Sequence, residues 1–342
     1  MKRLIAAALL LCLILSGCAA GAGEPEQKLY TATFLTVFDT VTTIKGRAES
    51  EEAFSMLSRE IHDELQRYHQ LFDIYNEYEG INNLKTVNDS AGIAPVQVDE
   101  PIMQLLLDCK SYYEASGGMV NVAMGGVLQL WHEARNDGIR NPAGAYLPSQ
   151  EALEAASQHW DFANVILDEA ACTVYLADPQ MSLDVGAIAK GWSVEQVAKN
   201  APAGMLISVG GNVRATGPKD AKGTPWVVGI QDPKDATKNL HTLYVTGGSL
   251  VTSGDYQRTY AVNGELYHHI IDPATLHPGT YWSSVTILCE DSGLADALST
   301  ALFLMDQAQG QKLLDQFGAK ALWVDREGNL YYSPGFQDLI RT

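Results

Sequence analysis

The chain has 342 residues and a formal net charge of −18, with 41 acidic side chains against 23 basic ones. So acidic a balance argues against a nucleic-acid binder, which needs a basic face, while saying little about fold. Of the five cysteines, none falls in a C-x-x-C metal spacing, and Cys109, Cys172 and Cys289 read as small buried hydrophobes.

Met1-Lys2-Arg3 followed by the apolar run Leu4 to Leu15 has the pattern of a secretion signal. The run is short for a membrane-spanning helix. It ends in Leu15-Ser16-Gly17-Cys18, which resembles a bacterial lipobox. That resemblance implies removal of residues 1–17 and lipidation of Cys18, with residues 18–28 as a tether. Loss of Lys2 and Arg3 takes the charge from −18 to −20. Residues 29–342 are then expected to form one large domain.

Tyr30 to Ile44 alternates β-branched and aromatic residues and predicts a strand or hairpin. Ser50 caps a helix that carries Phe54, Leu57, Ile61, Leu65, Tyr68 and Phe72 at helical spacing. A polar loop is expected over Asn76 to Ser90. Asp99 and Pro101 open a second helix, stopped by Gly117-Gly118, and Ser149 caps a third over Gln150 to His159. Val165 to Leu176 predicts a hairpin, and Val185 to Asn200 a helix after a glycine-containing turn. From Leu206 to Thr286 the pattern is mostly strand, with Asn263-Gly264 as a two-residue hairpin turn. A helical stretch over Leu294 to Phe317 and a closing hairpin over Ala321 to Tyr332 complete the chain. Helices and strands are interspersed without regular βαβ alternation, so the fold class is α+β with mainly antiparallel strands.

Four motifs carry chemistry. Asp296 and Thr300 sit four apart in an apolar helix and share one face. A carboxylate and a hydroxyl on one turn are hard oxygen ligands, suited to Mg²⁺ rather than Zn²⁺. Asp184 precedes a helix start and Lys190 falls in that helix's first turns, where a cation opposes the dipole and so points to a phosphate. Gly210-Gly211 breaks two strands in Ser208 to Arg214, permitting a turn or a close backbone approach to ligand. Thr252-Ser253-Gly254 and His268-His269 flank the Asn263-Gly264 hairpin, which can bring them together. Strand alternation allows only one of the two histidines to face a site.

In order along the chain, these blocks resemble the ApbE family of FAD:protein FMN transferases: Asp184 to Gly191, Ser208 to Arg214, Thr252 to Tyr256, His268 to Pro273 and Ala295 to Thr300. The resemblance implies an Mg²⁺-assisted reaction. FAD is cleaved between its phosphates, FMN passes to a threonine hydroxyl of an extracytoplasmic acceptor flavoprotein, and AMP leaves. By the same resemblance Asp296, Thr300 and the carbonyl of Ala187 would hold the metal. Phe38, Tyr75, Met119, Val120, Asn121, Asp184, Lys190, His269 and Ile270 would contact FAD, with His269, Lys190 and Asp296 in the chemistry. Four positions, in three blocks, depart from the family's pattern. Asn121-Val122-Ala123 stands for Asp-x-Thr, Asn212 for an aspartate, and Leu276 for the glycine after Thr275. Two other readings share the site: hydrolysis of FAD to FMN and AMP, and a lipoprotein that binds FAD without reacting it.

Overall fold

The computed structural model describes residues 27–341; the expected signal, Cys18 and nearly all of the tether lie outside the described residues. Strands β1 (Lys28–Val37) and β2 (Thr40–Ala48) pair antiparallel around a two-residue turn, Phe38-Asp39, both with φ of 52°. They start one edge of an eight-stranded sheet. It continues through β6 (Leu206–Val209), β7 (Asn212–Ala215), β10 (Gly248–Gly254), β13 (Ser284–Cys289), β14 (Lys320–Val324) and β15 (Leu330–Tyr332). Every pairing in this sheet is antiparallel.

Period-two alternation sends neighbouring residues to opposite faces of that sheet. Val251 and Trp323 join one core, while Leu250 and Leu322 join another. On the first face lie helices α1 (Glu51–Phe72), α3 (Glu100–Ala115), α6 (Ala189–Asn200), α7 (Ser292–Phe303) and α8 (Gln307–Phe317). The ribbon of β8 (Trp226–Asp232) and β9 (Asp235–Val245) covers the second face with Trp226, Val228 and Leu243. A third cluster joins α4 (Gly125–Arg140), α5 (Gln150–Ser157) and the hairpin β11 (Tyr260–Val262) to β12 (Glu265–Tyr267). The remaining elements are α2 (Leu84–Asp89) and a small sheet in the order β3 (Val96–Gln97), β5 (Thr173–Leu176), β4 (Val165–Asp168).

The α+β class and the main hairpins stand as expected. Four element expectations need correction. The loop expected over Asn76 to Ser90 contains α2, because the Asn83 side chain accepts from the Thr86 amide at 3.1 Å and caps a short turn. Helix α4 was not expected. It opens on Gly125-Gly126, a pair that reads as a breaker, and Met124 gives it no side-chain cap. Gly125 is there for packing, since a Cβ would lie 2.4 Å from the Ser182 carbonyl. The stretch over Leu294 to Phe317 is two helices, parted at Leu304 to Asp306, where Asp306 and Gln309 form a capping box. Lastly, α6 begins at Ala189 rather than Val185, with a turn at Gly186 to Ile188 before it. Among the described residues no helix is long and apolar enough to cross a membrane.

The crossing of α6 and α7 fixes the site. A Cβ on Gly191 would lie 2.3 Å from the Ser292 carbonyl and 2.5 Å from Cβ of Asp296, so only glycine permits this approach. Buried Glu195 clamps the same crossing: its Oε2 accepts from the Ser292 amide at 2.9 Å and from Arg214 Nε at 2.9 Å. One helix thereby delivers Lys190 and the other Asp296 to the same cavity.

Candidate active site

A cavity of about 480 Å³ opens between the first and third cores, a size typical of small-molecule sites. Asp296 is 4% exposed. Its Oδ2 accepts from the Gly191 amide and from Asn212 Nδ2, each at 2.8 Å, and lies 3.7 Å from Lys190 Nζ. Burial pushes this carboxyl above the ordinary range, against the opposing pull of Lys190, Gly191 and Asn212. Among the described residues every hydrogen bond that the carboxylate accepts lands on Oδ2, which leaves Oδ1 uncommitted. Thr300, one turn on, lines the same cavity.

Gly191 is the third residue of α6, so its amide is one of the donors that a helix start leaves unpaired. It goes to Asp296, and no donor among the described residues reaches the Ala187 carbonyl, which lies in the turn before the helix. Asp296, Thr300 and Ala187 all line the cavity, and among them they offer a carboxylate oxygen, a hydroxyl and a carbonyl. This donor set fits Mg²⁺, which favours hard oxygens and keeps places for water and phosphate. Lys190 spans the turn, with Nζ 3.3 Å from the Gly186 carbonyl, and Asp184 Oδ1 accepts from the Gly186 amide at 2.8 Å.

The expectation that only one of the two histidines faces the site needs correction: they follow β12, which ends at Tyr267, and His269 lies in a bend, so strand alternation does not apply to them. Both border the cavity. His268 is buried and committed: Nε2 donates to the Gly279 carbonyl at 3.0 Å, and Nδ1 accepts from the Ile270 amide at 3.3 Å. Burial pushes it down to about 4. His269 makes no hydrogen bond to the described residues, and its Nδ1 is buried without a partner. Burial, then the charges of Arg258, Lys190, His268 and Arg135, push His269 down to about 3, so its imidazole is neutral.

On the same cavity wall, Tyr75 is 54% exposed and stacks on His132 with ring centroids 5.1 Å apart. Asp73 holds the Tyr75 loop. Its carboxylate accepts from the amides of Tyr75 and Asn76, from Asn76 Nδ2 and from the Tyr78 hydroxyl, at 2.7 to 3.1 Å. Burial pushes this carboxyl up, but those four bonds outweigh it and hold it below its usual range. Phe38, from the strained β1–β2 turn, meets His69 edge-on at 5.4 Å. Met119, Val120 and Asn121 form a further part of the wall, and buried Ile270 follows the histidines. The residues named from the sequence as FAD contacts and metal ligands, from Phe38 to Thr300, all border one cavity.

Asn212, Asn121 and Leu276 have physical accounts; nothing in the structure explains Ala123 in place of threonine. Asn212 is buried and donates to Asp296, where an aspartate would set two carboxylates against each other. The Asn121 Oδ1 accepts from the Ala123 amide at 2.9 Å, as an aspartate oxygen would, and its Nδ2 donates to the Trp160 carbonyl at 3.2 Å. Leu276 has φ of 65°, the left-handed region that suits glycine. It keeps that backbone while packing its side chain into the third core and accepting from Trp131 Nε1 at 2.9 Å.

Sequence reasoning missed His132, Arg135 and Arg258, all on the cavity wall. His132 and Arg135 are one helical turn apart on α4. The apolar positions Val127, Trp131 and Ala134 were the signal that could have revealed that helix.

An aromatic wall, converging cations and an oxygen-rich metal-type corner on an antiparallel α+β scaffold define a class: proteins that handle the phosphates of a nucleotide-like ligand. The chain belongs to the ApbE family, whose model matches residues 38–323. It is 33% identical to an FAD:protein FMN transferase of Treponema pallidum, over 96% of this chain and 93% of that one. It is also 33% identical to one of Klebsiella pneumoniae, over 75% of this chain and 80% of that one. Among solved structures, an ApbE protein of Thermotoga maritima matches with a TM-score of 0.81 at 30% identity, covering 92% of this chain and all (100%) of that one. The flavin transferase ApbE of Vibrio cholerae shares the fold, with a TM-score of 0.74 at 21% identity over 92% of this chain and 100% of that one.

Proposed function

We propose that this chain is an FAD:protein FMN transferase that uses Mg²⁺ and delivers FMN to a threonine hydroxyl of an acceptor flavoprotein, releasing AMP. The observation that carries the reading is the corner formed by Asp296, Thr300 and the free Ala187 carbonyl beside Lys190. A buried carboxylate with a single lysine at 3.7 Å is incompletely compensated, and a divalent cation completes it. When bound there, Mg²⁺ supplies charge neutralisation to the pyrophosphate and its departing phosphate.

The chain's own residues do the rest. Lys190 neutralises phosphate charge beside Asp296. Tyr75, half-exposed and stacked on His132, offers a face on which a flat ring system packs. A threonine hydroxyl attacks poorly until its proton is taken. His269, neutral and without a protein hydrogen-bond partner among the described residues, is placed to accept that proton. Burial is the larger cause of its low basicity, and phosphate charge would offset the part that the cations add. The new bond joins threonine Oγ to the FMN phosphorus as the bond from that phosphorus to the AMP oxygen breaks.

The test mixes purified protein, FAD and Mg²⁺ with and without an acceptor domain, and measures AMP and the fluorescent protein adduct together. Equal amounts of AMP and adduct, both requiring acceptor, are expected. AMP released freely without acceptor would identify a hydrolase, and unchanged bound FAD a carrier. We further propose that Cys18 carries a lipid that holds the enzyme on the outer side of the cell membrane, a reading supported by the lipobox-like Leu15 to Cys18. Cys18→Ala is expected to shift the protein out of the membrane fraction; full membrane retention defeats the proposal.

A further inference from the structure

The cavity wall holds two arginines for which the site described so far has no use. Arg135 lies on α4 and Arg258 follows β10. Among the described residues, neither has a carboxylate oxygen within 4.0 Å, the limit for an ion pair. Four carboxylates also border the cavity, Asp39, Asp73, Asp184 and Asp296. Three of them are engaged. Asp73 accepts four hydrogen bonds, Asp184 holds the Gly186 amide, and Asp296 holds Gly191, Asn212 and Lys190.

Arg135 is half-buried, yet of its five N–H groups only one finds a partner among the described residues, Nδ1 of His132 at 3.2 Å. Burial, and then the charge of Arg258, holds its guanidinium below the ordinary arginine range. Arg258 sits at φ of 49°, in the left-handed region, and strained residues of this kind gather at ligand clamps. Both charges, with that of Lys190, bear on His269, whose buried Nδ1 has no partner. In a chain of net charge −18, three cations converge on one neutral imidazole, and two of them lack a counter-ion.

We propose that Arg135 and Arg258 form an anion subsite that takes a diphosphate jointly with Lys190, and that this pair makes the site select a flavin dinucleotide over a flavin without phosphate. The naming of FAD rests on the function proposed above; the anion subsite rests on the unpaired guanidiniums. Planar guanidiniums suit phosphate oxygens, each able to give paired charge-assisted hydrogen bonds.

Isothermal titration of the purified protein in EDTA, which removes any metal contribution, tests this with FAD, riboflavin and inorganic pyrophosphate as probes. Arg135→Gln and Arg258→Gln should each weaken FAD and pyrophosphate about 10- to 100-fold, the scale of a lost charge-assisted contact, and leave riboflavin within about twofold. Arg135→Lys should recover part of the loss. Arg140→Gln, on the same helix but exposed and paired with Asp137, should change nothing. A parallel loss of riboflavin and FAD affinity would show that Arg135 only supports the Tyr75–His132 stack, and overturns the proposal. Unchanged FAD and pyrophosphate affinities overturn it too, as does a wild-type protein that binds neither. Arginine-dependent binding of pyrophosphate without binding of FAD would uphold the subsite and sink the FAD reading instead.

Discussion

Asp296→Asn should lower adduct formation about 1,000-fold or more, the several kcal/mol that a metal contributes to phosphoryl transfer, with the folded structure retained. An asparagine oxygen can still accept from the Gly191 amide or from Asn212, so the α6–α7 crossing keeps its contact. What disappears is the charge, and with it a carboxylate oxygen that accepts no hydrogen bond among the described residues. Steady-state adduct formation over a range of Mg²⁺ concentrations, with urea unfolding as the control for fold, measures both consequences. A variant of near wild-type rate and unaltered Mg²⁺ dependence would remove Asp296 from the metal corner. A carrier that only binds FAD would tolerate the change, so the same experiment separates the enzyme from the binder.

His269→Ala should cost about 100- to 10,000-fold in the transfer step, the usual worth of a positioned proton acceptor, with FAD affinity changed little. His269 is the one of the two histidines free to act. His268 spends both ring nitrogens on the Gly279 carbonyl and the Ile270 amide. His268 also packs edge-on against Phe303 at 5.4 Å, on the helix that carries Asp296 and Thr300. The sign of the pH effect follows from the depressed imidazole. Pushed down to about 3, His269 is neutral throughout the physiological range. Phosphate binding raises it, so the acid limb of the rate with saturating FAD should lie above pH 3. In the alanine variant that limb should vanish, and the residual rate should rise with hydroxide or an added small base. Single-turnover rates between about pH 3 and 9 (a range of about six decades in proton activity) would decide it. An unaltered pH profile in the variant assigns the proton to another group.

The chemistry-bearing blocks were legible because each is local. Asp296 and Thr300 declare their shared face through the helical repeat. The glycine pair at Gly210-Gly211 declares a turn through its positive φ values. The Asn263-Gly264 hairpin, with its Tyr260–Tyr267 register, follows from turn chemistry alone. Helix α4 was not legible, because the glycines that let it pack on Ser182 look like breakers without the neighbour they pack against. With it went His132 and Arg135. The break at Leu304 to Asp306 was missed for the opposite reason: apolar residues continue through it, and only the Asp306–Gln309 capping box marks a new start.

By itself the sequence determined the α+β class, the hairpins, the ordered blocks and the resemblance they carry, since each depends on residues within a few positions of one another. The tertiary structure decided which groups are free to act. Gly191 gives its otherwise unpaired amide to Asp296 and ties the two helices at the site; His268 is tied down while His269 is not; Arg135 and Arg258 reach the cavity without a counter-ion among the described residues. A hydrogen bond consumed or left open is a property of neighbours as much as 105 residues apart, as Gly191 and Asp296 are, and local pattern carries no record of it.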